Sequence, residues 1–134
     1  GVPSYLISST LLGVMAQRLV RTLCPHCKTL GDAPDDDTWR AMTAPWRGEK
    51  PAQVMRPVGC LECRMTGYYG RIGLYEIMLM TPALRRLVQP DNDDRVLRDQ
   101  AYKDGMKPLR VSGAMKVGAG ITTAEEIVRV VPLA

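Results

Sequence analysis

The 134-residue chain has no Phe, a single His and two Trp, so aromatic residues make up only 5% of it. A core without Phe has to be aliphatic, and eight Met supply adaptable filler. One His without an evident nucleophile partner leaves no hydrolytic triad to assemble. Lys and Arg outnumber Asp and Glu by 18 to 14, yet they never form a run of four. Scattered basic charge of this kind does not make the stripe that nucleic acid needs. No apolar run approaches the roughly 18 residues of a membrane-spanning helix, and the N-terminus lacks the basic segment of a secretion signal. No G-x-x-x-x-G-K-[ST] loop is present, so a triphosphate is not held here by the usual P-loop. Gly67, Gly70 and Gly73 miss the dinucleotide-binding spacing and read as a turn into a strand. The opening Gly-Val-Pro, without an initiator Met, suggests a piece excised from a longer protein.

What the chain does have is four cysteines in two pairs, Cys24-Pro25-His26-Cys27 and Cys60-Leu61-Glu62-Cys63. A C-x-x-C turn aims both sulfurs at one point, and two such turns make the tetrahedral thiolate set that zinc prefers. Four thiolates fill the shell, so the expected site is structural, with Cys24, Cys27, Cys60 and Cys63 as ligands. His26 sits between two of them and could replace one, but a solvent-facing position is preferred. The gap between the pairs exceeds the usual ribbon spacing, and two other readings stay open: a catalytic or regulatory dithiol, and inert buried thiols. A redox role expects one pair beside a βαβ unit, and neither pair has one. Paired cysteines without a secretion signal also point to a cytoplasmic location.

Around the cysteines the pattern predicts an α+β chain, mostly helical. A helix is expected over 10–23, with Leu11, Leu12, Met15, Ala16, Leu19, Val20 and Leu23 on one stripe and Arg18 and Arg21 on a solvated face. The excursion 24–63 reads as a small satellite, poor in core residues, with a short helix over 37–44 carrying Trp39 and Met42 inward and a strand over 52–58. Residues 70–80 read as a covered strand, because its second half is apolar on both faces. Arg71 and Glu76 within it are read as surface charges, an ion pair or interface contact being the alternative. Thr81-Pro82 starts a helix to about 89, a second spans about 92–104, and Gly105 closes it. Pro108 opens a helix to about 118 that buries Leu109, Val111 and Met115, with Ala114 as a further candidate. Thr122 and Thr123, each followed three residues later by Glu, make overlapping capping boxes for a last helix.

The stretches 11–27, 59–63 and 67–76, together with Gly120-Ile121-Thr122-Thr123-Ala124-Glu125-Glu126-Ile127, resemble the C-terminal region of the type II secretion ATPase, general secretion pathway protein E, and its pilus-assembly relatives. The resemblance covers nearly the whole chain and is loosest over 30–58. The Ser-Ser-Thr-Leu-Leu-Gly opening looks more like the secretion branch. It implies the C-terminal part of a RecA-like motor with an inserted four-cysteine zinc subdomain: residues 1–23 a helical end of the motor core, 24–63 the metal-binding subdomain, 64–134 a strand and closing helices. It also implies a homo-hexameric ATPase at the cytoplasmic face of the inner membrane that powers pseudopilus assembly and protein export. Its partners would be the upstream ATPase domain, neighbouring subunits, and the inner-membrane platform and cytoplasmic-domain proteins of the system. ATP and Mg²⁺ would belong to the upstream part, leaving this chain without catalytic or nucleotide-binding residues and inactive alone. The alternatives are a stand-alone zinc-ribbon nucleic-acid binder and a fragment of a type IV pilus assembly ATPase.

Overall fold

The computed structural model describes residues 1–133 as six helices and four strands. In order these are α1 (Ser4–Thr10), β1 (Gly13–Leu23), β2 (Thr29–Asp32), α2 (Asp36–Thr43), β3 (Gln53–Arg56), β4 (Tyr68–Leu79), α3 (Pro82–Leu87), α4 (Asp94–Lys103), α5 (Leu109–Gly118) and α6 (Ala124–Val130). The strands form two separate two-stranded sheets, β1 with β4 and β2 with β3. The α+β expectation holds in this form. Among the described residues no helix is long and apolar enough to cross a membrane.

The helix expected over 10–23 is instead β1. Leu12, Met15 and Leu19 fit a helical stripe, but Val14, Val20 and Thr22 are β-branched and equally suit a strand. What decides is a partner some fifty residues away in sequence, β4, which a local pattern cannot reveal. Backbone bonds beyond each end of the ladder, Met80 N–H to the Leu12 carbonyl and Cys24 N–H to the Gly67 carbonyl, both at 2.9 Å, give the antiparallel direction. β4 itself matches the expected strand but is not covered on both faces: Tyr75, Ile77 and Leu79 are exposed. A two-stranded sheet with a core on one side leaves the other side to solvent.

The chain divides into two compact units. One comprises residues 1–16 and 76–107. Its small core gathers Met80, Leu84 and Ala101, with Leu11, Met78, Leu97 and Met106 packed around them. The Thr81 hydroxyl accepts from Leu84 N–H and caps α3 as expected, and Asp93 caps α4. Gly105, at φ 103°, closes α4 by letting Met106 N–H reach the Ala101 carbonyl and its own N–H reach Tyr102.

The other unit comprises residues 17–75 and 108–133 and holds all four cysteines. Its core joins Val20, Trp39, Met42, Leu74, Ala114, Val117, Ile127 and Val131. Trp39 and Met42 come from between the two cysteine pairs, and Met42 is fully buried. The excursion is therefore not poor in core residues. Asp35 caps α2 by accepting from Thr38 N–H at 2.8 Å, and Trp39 Nε1 donates to the Gly48 carbonyl at 2.9 Å. The predicted strand over 52–58 is β3, shorter, and it pairs antiparallel with β2, which the sequence pattern did not suggest. On α5, Val111 and the further candidate Ala114 are buried, but Met115 is 60% exposed.

Candidate metal centre

Each cysteine pair lies at a junction that the fold fixes. Cys24 follows β1 directly, and Lys28 N–H returns to its carbonyl at 3.0 Å to close the first turn. In the second turn Met65 N–H returns to the Cys60 carbonyl at 2.8 Å. Arg64 and Met65 both take positive φ, 54° and 62°. Gly67, at φ 79°, then leads into β4, where any Cβ would stand 2.5 Å from that of Pro57. Only glycine satisfies both demands.

These junctions bring the four predicted sulfurs together, every pair within 4.8 Å. Three separations are 3.8 Å (Cys24–Cys60), 3.8 Å (Cys27–Cys63) and 3.7 Å (Cys60–Cys63). A disulfide would need about 2.05 Å. Thiolates about 2.3 Å from a central tetrahedral ion stand about 3.8 Å apart, so the sulfurs fit such an ion. Cys24 and Cys63 are buried and the other two half-buried. His26 is exposed and stands outside the cluster.

Backbone N–H groups point at the sulfurs, which favours the thiolate form that metals bind. Cys63 Sγ accepts from Cys60 N–H and Gly67 N–H, each at 3.2 Å, and Cys27 Sγ accepts from Gly59 N–H at 3.3 Å. Burial alone would raise the Cys63 thiol, but these donors and the neighbouring sulfurs hold it down at about 6. At Cys60 the Cys63 N–H pulls the other way, yet burial and a proton shared with the Cys63 and Cys24 sulfurs push it up to about 11.

Beside the cysteines stands a polar cluster that sequence reasoning missed. Glu126 is 2% exposed. It accepts from Arg21 Nε at 3.0 Å, Arg21 Nη2 at 2.6 Å, Arg21 backbone N–H at 3.0 Å and Arg129 Nη2 at 2.9 Å. Burial pushes its carboxyl up, but the two guanidinium groups and the N–H outweigh that and hold it at about 2. The Arg21 guanidinium also stacks over the Tyr68 ring at 4.2 Å, and the Tyr68 and Thr123 hydroxyls are 2.9 Å apart. Arg21 is exposed, as expected, but it stands on a strand and its guanidinium is paired with Glu126. The Thr123 hydroxyl does accept from Glu126 N–H, as the capping box predicts, but the Glu126 carboxylate turns to Arg21. Arg18 and Arg71 are exposed and Glu76 is half-buried.

A family model described as "Type II/IV secretion system protein" matches residues 1–129. Among curated relatives, the type IV pilus assembly ATPase TfpB of Acinetobacter baylyi is 49% identical over 133 residues, 99% of this chain and 23% of its own length. The type II secretion system protein HxcR of Pseudomonas aeruginosa is 39% identical over 130 residues, 97% of this chain and 24% of its own. The type II secretion system ATPase E of Vibrio cholerae is 38% identical over 130 residues, 97% of this chain and 25% of its own. The chain thus spans about a quarter of the length of each of these relatives.

Proposed function

Given that the chain belongs to the type II/IV secretion system protein family, we propose that it is the zinc-bearing C-terminal module of an ATPase that powers assembly of a pilus-like fibre. The observation that carries this reading is the set of four sulfurs at tetrahedral-edge spacing. Zinc suits four thiolates in a closed tetrahedron, and a full shell leaves no position for water or substrate. The ion's contribution is to folding. Residues 24–63 carry it, with 1–23 and 64–134 joining it to a RecA-like motor. ATP and Mg²⁺ are handled by the preceding part of the longer protein, and this module braces the motor without hydrolysing nucleotide by itself. Its partners are that motor, neighbouring subunits of a homo-hexamer, and the inner-membrane platform and cytoplasmic-domain proteins, at the cytoplasmic face of the membrane. Nucleic acid has no part in it.

Two machineries share this family. The opening residues suggest the pseudopilus of type II secretion, whereas 49% identity with a pilus assembly ATPase, against 39% and 38% with two secretion proteins, favours the type IV pilus.

Elemental analysis with a thiol titration before and after chelation tests the metal site. One zinc per chain, with four thiols released only by the chelator, is the expected result. Metal-free protein with two readily cycled disulfides would overturn it in favour of the dithiol reading.

A further inference from the structure

The turn between α5 and α6 and the first residues of α6 hold the segment that delivers the first cysteine pair. The Gly120 carbonyl accepts from Lys28 Nζ at 2.9 Å, and the Ile121 carbonyl from Leu23 N–H at 2.8 Å. The Thr122 hydroxyl, on a fully buried residue, donates to the Arg21 carbonyl at 2.7 Å. Glu126 takes the Arg21 N–H and guanidinium. Every one of these bonds falls on residues 21–28, the stretch that contains Cys24 and Cys27. The same turn reaches the segment that leaves the second pair, because Thr123 meets the Tyr68 hydroxyl.

These contacts are not needed to end one helix or start the next. α5 is already closed by Gly120 at φ 73°, with Ile121 N–H on the Lys116 carbonyl and Gly120 N–H on Val117. The Thr123 hydroxyl already caps α6. Apart from its bond to Arg129, the Glu126 carboxylate acts on Arg21; the Ile121 carbonyl and the Thr122 hydroxyl act on the same strand leading into the site, and the Gly120 carbonyl acts on Lys28 just beyond the first pair. Groups that orient metal ligands from outside the coordination shell commonly change affinity about 10–100-fold when removed.

We propose that Glu126 and Lys28 are positioning residues of the metal centre, and that metal binding and docking of α6 on residues 21–28 are one coupled equilibrium. The inference rests on the metal reading above. It identifies the α6 side of the module as the place where the state of the ion is felt, and through which a force on the C-terminal helix would reach the ion. Reciprocity follows from linkage: whatever holds α6 in place tightens metal binding, and metal tightens the hold on α6.

The test uses the whole chain with Co²⁺ as the probe, since a tetrahedral cobalt–thiolate centre absorbs visibly and reports its own geometry. Affinity is read by competition with a chelator for wild type, E126Q, K28M and L84A, a core variant of the other compact unit. Weakening of about 10-fold or more in E126Q and about 3-fold or more in K28M, with an altered cobalt spectrum in E126Q, is the expected result. L84A should fall in melting temperature yet stay within about 2-fold of wild-type affinity. Affinities of E126Q and K28M within about 2-fold of wild type would overturn the inference, as would L84A weakening binding as much as they do. Should E126Q not fold, K28M decides on its own. Failure of the wild type to develop a cobalt–thiolate spectrum would instead overturn the metal reading, which keeps the two failures apart. As a second readout, amide exchange over residues 121–131 should speed up on chelation of the wild type, and unchanged exchange there would count against the coupling.

Discussion

The Cys24 N–H donates to the Gly67 carbonyl at 2.9 Å, so the end of β1 is bonded to the residue that leads out of the second cysteine turn. The two turns are therefore held together by backbone as well as by any shared ion. Chelation should loosen the sulfurs without separating the strands at once. Hydrogen exchange on apo protein should show protection lost first at 25–28 and 59–66, while the amides of β1 and β4 exchange later. Simultaneous loss across both strands would show that the metal alone holds the ladder.

Cys63→Ser removes a buried ligand and leaves two backbone donors, Cys60 N–H and Gly67 N–H, aimed at a poorer acceptor. Metal affinity should fall by more than the ~100-fold upper range of outer-shell changes. His26→Ala, at an exposed residue, should leave affinity unchanged. Competition with a chromogenic chelator measures both.

Glu126 gives the cysteine-bearing unit a defined acid limb. Its carboxyl titrates at about 2 when folded, below its ordinary value of 4.5. Such a group adds stability that is complete above 4.5 and is lost as pH falls towards 2. Arg21 is partly exposed, so screening reduces the contribution to on the order of 2 kcal/mol. Urea unfolding between pH 6 and pH 2 should show stability falling through this window, and E126Q should flatten that part of the curve.

Trp39→Ala should cost about 3–5 kcal/mol, the usual range for truncating a buried large aromatic. It empties a core position shared with Met42 and Leu74 and strips the Gly48 carbonyl of its donor. Urea midpoints measure the loss.

Thr81→Ala, in the other compact unit, removes the cap on Leu84 N–H and the hydroxyl that bonds Asp104. About 1 kcal/mol should be lost with metal affinity unchanged. Lowered affinity in this variant would mean that the two units are coupled.

How much of this was legible in the sequence depends on the range of the signal. Cys24, Cys27, Cys60 and Cys63 could be grouped because each pair carries its own turn and no cysteine is left over. Thr81, Gly105 and Thr123 act within a few residues of themselves, so their caps could be read directly. The failures were non-local. Residues 13–23 pattern acceptably as helix or strand, and only β4 decides between them. Arg21 and Glu126 lie 105 positions apart, and each has an ordinary local role as a surface charge or a capping residue. Trp39 and Met42 were expected to turn inward, but nothing nearby showed that inward meant the same core as Val117 and Ile127.

That shared core has a consequence for how the chain reaches its fold. Cys24 and Cys60 stand 36 positions apart, and the loop between them carries Trp39 and Met42. An ion captured by the still-unfolded chain closes that loop early, removing about 3 kcal/mol of closure entropy from the later search. It also brings Trp39 and Met42 near the strands they must join. Zinc present from the start of refolding should therefore speed burial of Trp39, whereas zinc added afterwards finds Trp39 already buried and only tightens the two turns and α6. The same ion acts as a folding template or as a late fastener, depending on when it arrives.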